Sequence, residues 1–137
     1  MTRQRDRRGT SAVEFAFIAP LFFMLVIGMV EFGRAMMVQQ VLTNASREGA
    51  RLASLDSTNN SSSPTSTVTS DINSILSGSN ITGATIAISP GLPVAAGQNI
   101  SVTVSVPYMN VTWIPHPWFL GSATLSANCV MRRETTQ

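Results

Sequence analysis

The chain has no lysine, a single cysteine and a single histidine, and each scarcity removes a class of chemistry. With only Cys129, no intramolecular disulfide can form. The ordinary reading of that residue is a small buried hydrophobe, with pairing to another chain as the alternative. His116 stands between Pro115 and Pro117, a loop setting, and no second histidine or cysteine joins it to make a metal cluster. No phosphate-binding glycine loop and no nucleophile–base pair stands out. The sequence therefore predicts neither metal nor other cofactor, and no enzymatic activity. Charged residues make up only 12% of the chain, so their placement carries more than the net charge of +2.

Four of the nine basic residues, Arg3, Arg5, Arg7 and Arg8, precede an apolar run over residues 15–30 that holds no charge at all. Counted as helix over 10–33, that segment is about 36 Å long at 1.5 Å per residue, enough to cross a bilayer. The basic flank directs the N-terminus to the cytoplasm by the positive-inside rule. The predicted location is a single pass through a cytoplasmic membrane, with the C-terminal part outside. No second basic stripe or aromatic platform accompanies this flank, so nucleic acid is not an expected partner. A cleaved secretory signal is the main rival, but its apolar core is shorter and ends in a small-x-small site. Here the run ends Met29-Val30-Glu31-Phe32-Gly33-Arg34, which favours a retained anchor. Glu14 lies just inside the apolar stretch, five residues after Gly9. An acid there is costly without a cation or water, and so marks function.

Helix is expected to begin near Thr10 or Ser11, either of which can cap its first free N–H groups, and to continue past the bilayer despite Pro20. Val38, Val41, Leu42, Ala45, Gly49 and Leu52 recur at spacings of three and four, one apolar stripe opposite Gln39, Gln40, Asn44, Arg47, Glu48 and Arg51. A continuation over 34–55 follows from this. Residues 1–9 read as a polar leader, and residues 56–70 as a polar linker or surface loop. A short helix over 71–77 is then capped by Ser70 and stopped at Gly78. The period changes to two over 81–89, 99–108 and 123–132, with turn signals at Pro90-Gly91-Leu92-Pro93 and Ala96-Gly97. The predicted fold is α+β: a long N-terminal helix, membrane-spanning below and amphipathic above, packed on a small antiparallel sheet of about three strands. The extracytoplasmic head would have roughly eighty residues, near the lower limit for an independent core.

Glu31 and Arg34, three apart, read as a local helix pair at the outer membrane boundary. Arg47, Glu48 and Arg51 read as a solvated face with favourable spacing. Between the last two strands, residues 107–121 gather Trp113, Trp118, the only tyrosine and Phe119. Such a loop is either a contact surface or a cap folded back on the core.

The run Arg7-Arg8-Gly9-Thr10-Ser11-Ala12-Val13-Glu14-Phe15, the apolar helix, Glu31-Phe32-Gly33-Arg34 and Ala45-Ser46-Arg47-Glu48-Gly49-Ala50-Arg51 together resemble the TadE-like minor pilins, or pseudopilins, of bacterial tight-adherence pilus systems. The resemblance is specific over the first fifty-five residues and looser in the head, and it fits both TadE and its close relative TadF, with TadE the reading taken. It implies cleavage by a prepilin peptidase between Gly9 and Thr10, which makes Glu14 the fifth residue of the mature chain. Thr10 departs from the bulky apolar residue found after the cut in the best-known type IV pilins, although small residues are usual there in the tight-adherence branch. It also implies partners: the peptidase, other pilin-like subunits including a TadF-like one and the major pilin, the inner-membrane assembly platform, and the lipid bilayer. Phe15, Glu31, Arg34, Arg47, Glu48, Arg51, Trp113 and Trp118 are the candidate partner contacts. The spacing has a physical reason of its own. A new α-ammonium at Thr10 is neutralised by a carboxylate one helical turn along, within the chain or on a neighbour, and that pairing sets subunit register.

Two other classes of function compete with a pilus subunit. One is a permanently anchored module whose residues 113–119 bind an extracytoplasmic ligand or envelope protein. The other is a secreted domain that loses everything up to about residue 40.

Overall fold

The computed structural model describes residues 6–113 and 122–134. The chain divides into two units, Met1–Gly33 and Arg34–Gln137. Within the first unit the described residues belong to a single helix, α1 (Asp6–Ser54), which runs through Pro20 and on into the second unit. Its start is a correction: the helix does not wait for a cap at Thr10 or Ser11 but already includes Arg7, Arg8 and Gly9. Arginine is a good helix former, and one glycine costs only about 1 kcal/mol relative to alanine. The polar character of the leader therefore does not exclude helix.

The second unit contains the remainder of α1, then α2 (Asp56–Asn59), α3 (Pro64–Gly78), β1 (Thr85–Ser89), β2 (Asn99–Pro107), a single 3-10 turn at Tyr108–Asn110, and β3 (Thr124–Arg132). The strands form one antiparallel sheet in the order β1-β2-β3. The predicted α+β fold, a long apolar helix with a three-stranded antiparallel sheet, is thus the observed one. Register follows from which face is buried. Val102 and Val104 of β2 lie opposite Ile88 and Ile86 of β1 and opposite Cys129 and Ala127 of β3. A one-residue slip would turn the whole apolar set to solvent. On the other face, the Asn128 amide donates to the hydroxyls of Ser101 and Thr103, both at 2.7 Å.

The core forms where the stripe on α1 meets this sheet and α3. Val38, Leu42, Ala45, Ala50 and Ala53 of α1, Val68 and Ile72 of α3, and Ile100, Val102, Val104 and Val106 of β2 are wholly buried. Burial of each large aliphatic side chain is worth about 1.5–3 kcal/mol. Gly49 lets the elements approach. A Cβ added there would lie 2.5 Å from Ile72 Cδ1 and 3.3 Å from Val102 Cγ1.

Residues 56–70 are not a linker. Most of them are helical, in α2 and in the first half of α3. Serine and threonine are poor helix formers, so propensity argues against this helix. Pro64, in its first turn, is pre-set for a helix start, and the burial of Val68, Ile72 and Leu76 at spacings of four supplies the rest. The stop is also displaced. Gly78 is still helical, and Asn80 takes the left-handed conformation, φ 58°. The Ile81 N–H donates back to the Leu76 carbonyl at 3.0 Å, the closing bond of a Schellman-type end.

Candidate functional site

The residues singled out for processing lie in consecutive turns near the start of α1. Gly9, Thr10, Glu14 and Phe15 are all exposed. Around Gly9 a Cβ would meet nothing within 4 Å, and its backbone is ordinary right-handed helix, not the left-handed region that calls for glycine. The fold therefore gives no reason for glycine at this position. Thr10 and Glu14 are four apart in one helix, the spacing at which side chains share a face.

Beyond Glu14 the apolar side chains have no cover. Exposure of the large ones between Val13 and Val30 runs from 38% at Val26 to 79% at Phe17. α1 is long and apolar enough to cross a membrane, and none of its most apolar window is buried. A core helix of a water-soluble protein would be mostly covered, so α1 is a candidate single membrane span.

At the head end of α1, two expected site residues come together. Arg34 Nε donates to the Val111 carbonyl at 3.2 Å, and its guanidinium carbon lies 5.8 Å from the centre of the Trp113 ring. The sequence assigned Arg34 to a surface pair with Glu31. The observed contacts of Arg34 reach the segment after β2, where the backbone carbonyl and the aromatic face together use both its donors and its planar charge. Glu31 itself is only 9% exposed. Trp113 remains 69% exposed, while Trp118, His116 and Phe119 lie outside the described residues.

Arg47, Glu48 and Arg51 form the outer face of α1. Arg51 Nη2 meets Glu48 Oε1 at 2.6 Å, and its Nε meets both carboxylate oxygens. This hydrogen-bonded cation holds the Glu48 carboxyl below its ordinary value, against a smaller upward push from burial. Arg47 closes a shallow depression with Met36, Gln39, Gln40, Thr43 and Asn44. Gln39 Nε2 also donates to the Ser126 carbonyl of β3 at 2.8 Å.

Sequence reasoning missed a polar cluster where α1 ends. Arg133 Nη2 lies 2.6 Å from Asp56 Oδ1, and Arg133 Nη1 donates to the Val94 carbonyl. Asn59, only 5% exposed, donates to the carbonyls of Ala53 and Leu55 and accepts the Val94 N–H. The only signal for these roles was the charge of Asp56 and Arg133. Their pairing spans 77 positions, beyond the reach of local pattern.

No curated protein and no solved structure matches the chain. Residues 9–51 match the family model described as TadE-like protein, a segment that opens at Gly9 and closes at Arg51 within α1. Over that stretch, which holds the candidate membrane span and most of the α1 side of the head core, the chain is similar to TadE-like proteins.

Proposed function

We propose that this chain is a structural, non-enzymatic subunit of a tight-adherence pilus system, a minor pilin-like protein of the TadE type. It is inserted in the membrane through α1, trimmed by a prepilin peptidase between Gly9 and Thr10, and assembled with other pilin-like subunits on an inner-membrane platform. The observation that carries the reading is Gly9, a helical glycine that packing and backbone conformation leave unexplained. It opens the family match and precedes a membrane-length apolar helix. A peptidase that takes its substrate extended must open the first turns of α1, and glycine lowers that cost by about 1 kcal/mol relative to alanine. After cleavage, the ammonium of Thr10 and the carboxylate of Glu14 sit one turn apart, a pairing of greatest value in lipid.

The structure weighs against a secreted domain freed near residue 40. Such a cut would remove Val38, wholly buried in the head core, and Gln39, which bonds to β3.

Intact mass of the membrane-associated protein, with and without a co-expressed prepilin peptidase, tests the proposal, with Gly9→Leu as control. A mature chain that begins at Thr10, forms only with the peptidase and is lost in the variant is the expected result. An uncut chain that stays in the membrane beside an active peptidase overturns it in favour of a permanently anchored binding module.

A further inference from the structure

The two edges of the sheet are built differently. β1 has only five residues and stops at Pro90, and both shortness and proline keep an edge from pairing. β3 has nine residues, an unbroken register with β2, no proline, and no charge before Arg132. Its backbone groups divide by parity. The Arg133 N–H donates to the Gln98 carbonyl and the Tyr108 N–H to the Ala123 carbonyl, so odd-numbered residues bond to β2 and even-numbered ones point away. Ser126 agrees, since its carbonyl accepts a bond from Gln39 of α1. Past that bond, Asn128, Val130 and Arg132 turn their N–H and C=O groups outward. Helix α1 stands beside this edge. Ser126 meets Gln39 and Glu134 meets Ser54, so β3 and this part of α1 run in the same direction. From Gln39 to Arg47 the helix rises about 12 Å, the length of three to four strand residues at about 3.3 Å each. Arg47 is therefore level with Asn128 to Val130. Gln39, Thr43 and Arg47 line a shallow depression along that flank, and no acid is among its described lining residues. Leu125, Cys129 and Met131, on the core side of β3, are only partly buried.

We propose that the free edge of β3 takes up an extended segment of a different polypeptide as a fourth strand, lying beside the Arg47 flank of α1 and answering Arg47 with a carboxylate. Main-chain bonds to Asn128, Val130 and Arg132 hold such a strand, and its alternate apolar side chains complete the cover of Leu125, Cys129 and Met131. Charge selects the partner. A second copy has only its β1 and β3 edges to offer, and neither strand contains an acid, so a copy leaves Arg47 unanswered. The inference uses the head unit alone. It is independent of cleavage at Gly9 and of the membrane span.

The test uses the full chain in detergent micelles. The probes are synthetic peptides of strand length that alternate valine and threonine, with one glutamate placed at each position in turn, and matching lysine and uncharged sets. The expected result is tightest binding for one glutamate position. On binding, amide exchange slows at Asn128 and Val130 and stays unchanged at Cys129, whose N–H already bonds to β2. Arg47→Gln should weaken the preferred peptide a few-fold, the scale of a part-exposed ion pair, and Arg47→Glu should transfer the preference to the lysine set. Val130→Pro removes an outward N–H without touching the β2 ladder and should abolish binding. Arg47→Glu lies on an exposed helical face, so it keeps the test readable if the proline variant fails to fold. Unchanged exchange at Asn128 and Val130 with every peptide overturns the proposal. Equal binding of the glutamate, lysine and uncharged sets overturns it too, because Arg47 then selects nothing. Exchange at Asn128 and Val130 that slows with protein concentration alone overturns it in favour of a second copy.

Discussion

Arg133 Nη2 and Asp56 Oδ1 meet at 2.6 Å and so join the exit of β3 to the turn after α1. The same guanidinium serves the Val94 carbonyl, and the flanking backbone bonds run from the Glu134 N–H to the Ser54 carbonyl and from the Arg133 N–H to the Gln98 carbonyl. The Arg133 guanidinium is shared by the Asp56 carboxylate and the Val94 carbonyl. Removing it should therefore cost more than removing its acid. Arg133→Met is expected to lower head stability by about 1.5–3 kcal/mol, the range for hydrogen bonds to charged groups, and Asp56→Asn by less. Thermal unfolding of the full chain in detergent, followed by near-UV circular dichroism, ranks the two.

Asn59 is a buried amide with three backbone partners: the carbonyls of Ala53 and Leu55 and the N–H of Val94. Asn59→Leu strands these groups, at about 1–3 kcal/mol for each one left dry. Asn59→Asp keeps the acceptor but loses the donor, and should be nearly as harmful. Faster hydrogen exchange at the Val94 amide is the local signature expected in the leucine variant and absent from Asn59→Asp.

At Gly49 two effects of opposite sign compete. Alanine gains about 1 kcal/mol in helix propensity, but its Cβ would sit 2.5 Å from Ile72 Cδ1 and 2.9 Å from Ile72 Cγ1. Overpacking costs about 1–3 kcal/mol, so Gly49→Ala should destabilise. Ile72→Val deletes the nearest methyl. Combining the two should cost less than the sum of the singles, a coupling that a double-mutant cycle reads directly.

The Glu48–Arg51 pair supplies a pH dependence of known sign. Arg51 holds the Glu48 carboxyl below its ordinary 4.5, so the folded value is the lower one. Its contribution is present above the unfolded value and is lost as pH falls through the folded one. Both side chains are well exposed, 39% for Glu48 and 53% for Arg51, so the effect is small and screened by salt. Glu48→Gln should leave the neutral-pH melting temperature unchanged within error and flatten the acid limb slightly. A carboxyl-carbon NMR titration should place Glu48 below 4.5 in the parent and return it towards 4.5 in Arg51→Gln.

Local periodicity made most of the architecture legible. The stripe from Val38 to Leu52 and the alternation in β2 and β3 each declare a buried face within a few residues, and the structure buries those faces. Helix α3 was only half visible. Val68 is the sole large apolar residue in its first turns, among serines and threonines that favour loops, so the deciding force is its burial in a core built from elements far apart in the chain. The same limit applied to the site. Glu48–Arg51 is a local pair and was readable, whereas the bonds of Arg34 to Val111 and of Arg133 to Asp56 each span 77 positions. Gly49 was legible as part of the stripe but not as a point of close approach, since that depends on where Ile72 comes to rest.

The order of the elements also sets a timetable. The core face of α1 is complete once Ala53 has been made, but β2 begins at Asn99 and β3 ends at Arg132. Until β3 arrives, β1 and β2 are a lone hairpin, marginal in water. At about 5–20 residues per second, the stripe waits several seconds for its cover. During that interval the nascent chain presents a greasy helical face that α3 alone can cover, so its nine-residue final strand decides when the protein stops being a substrate for chaperones.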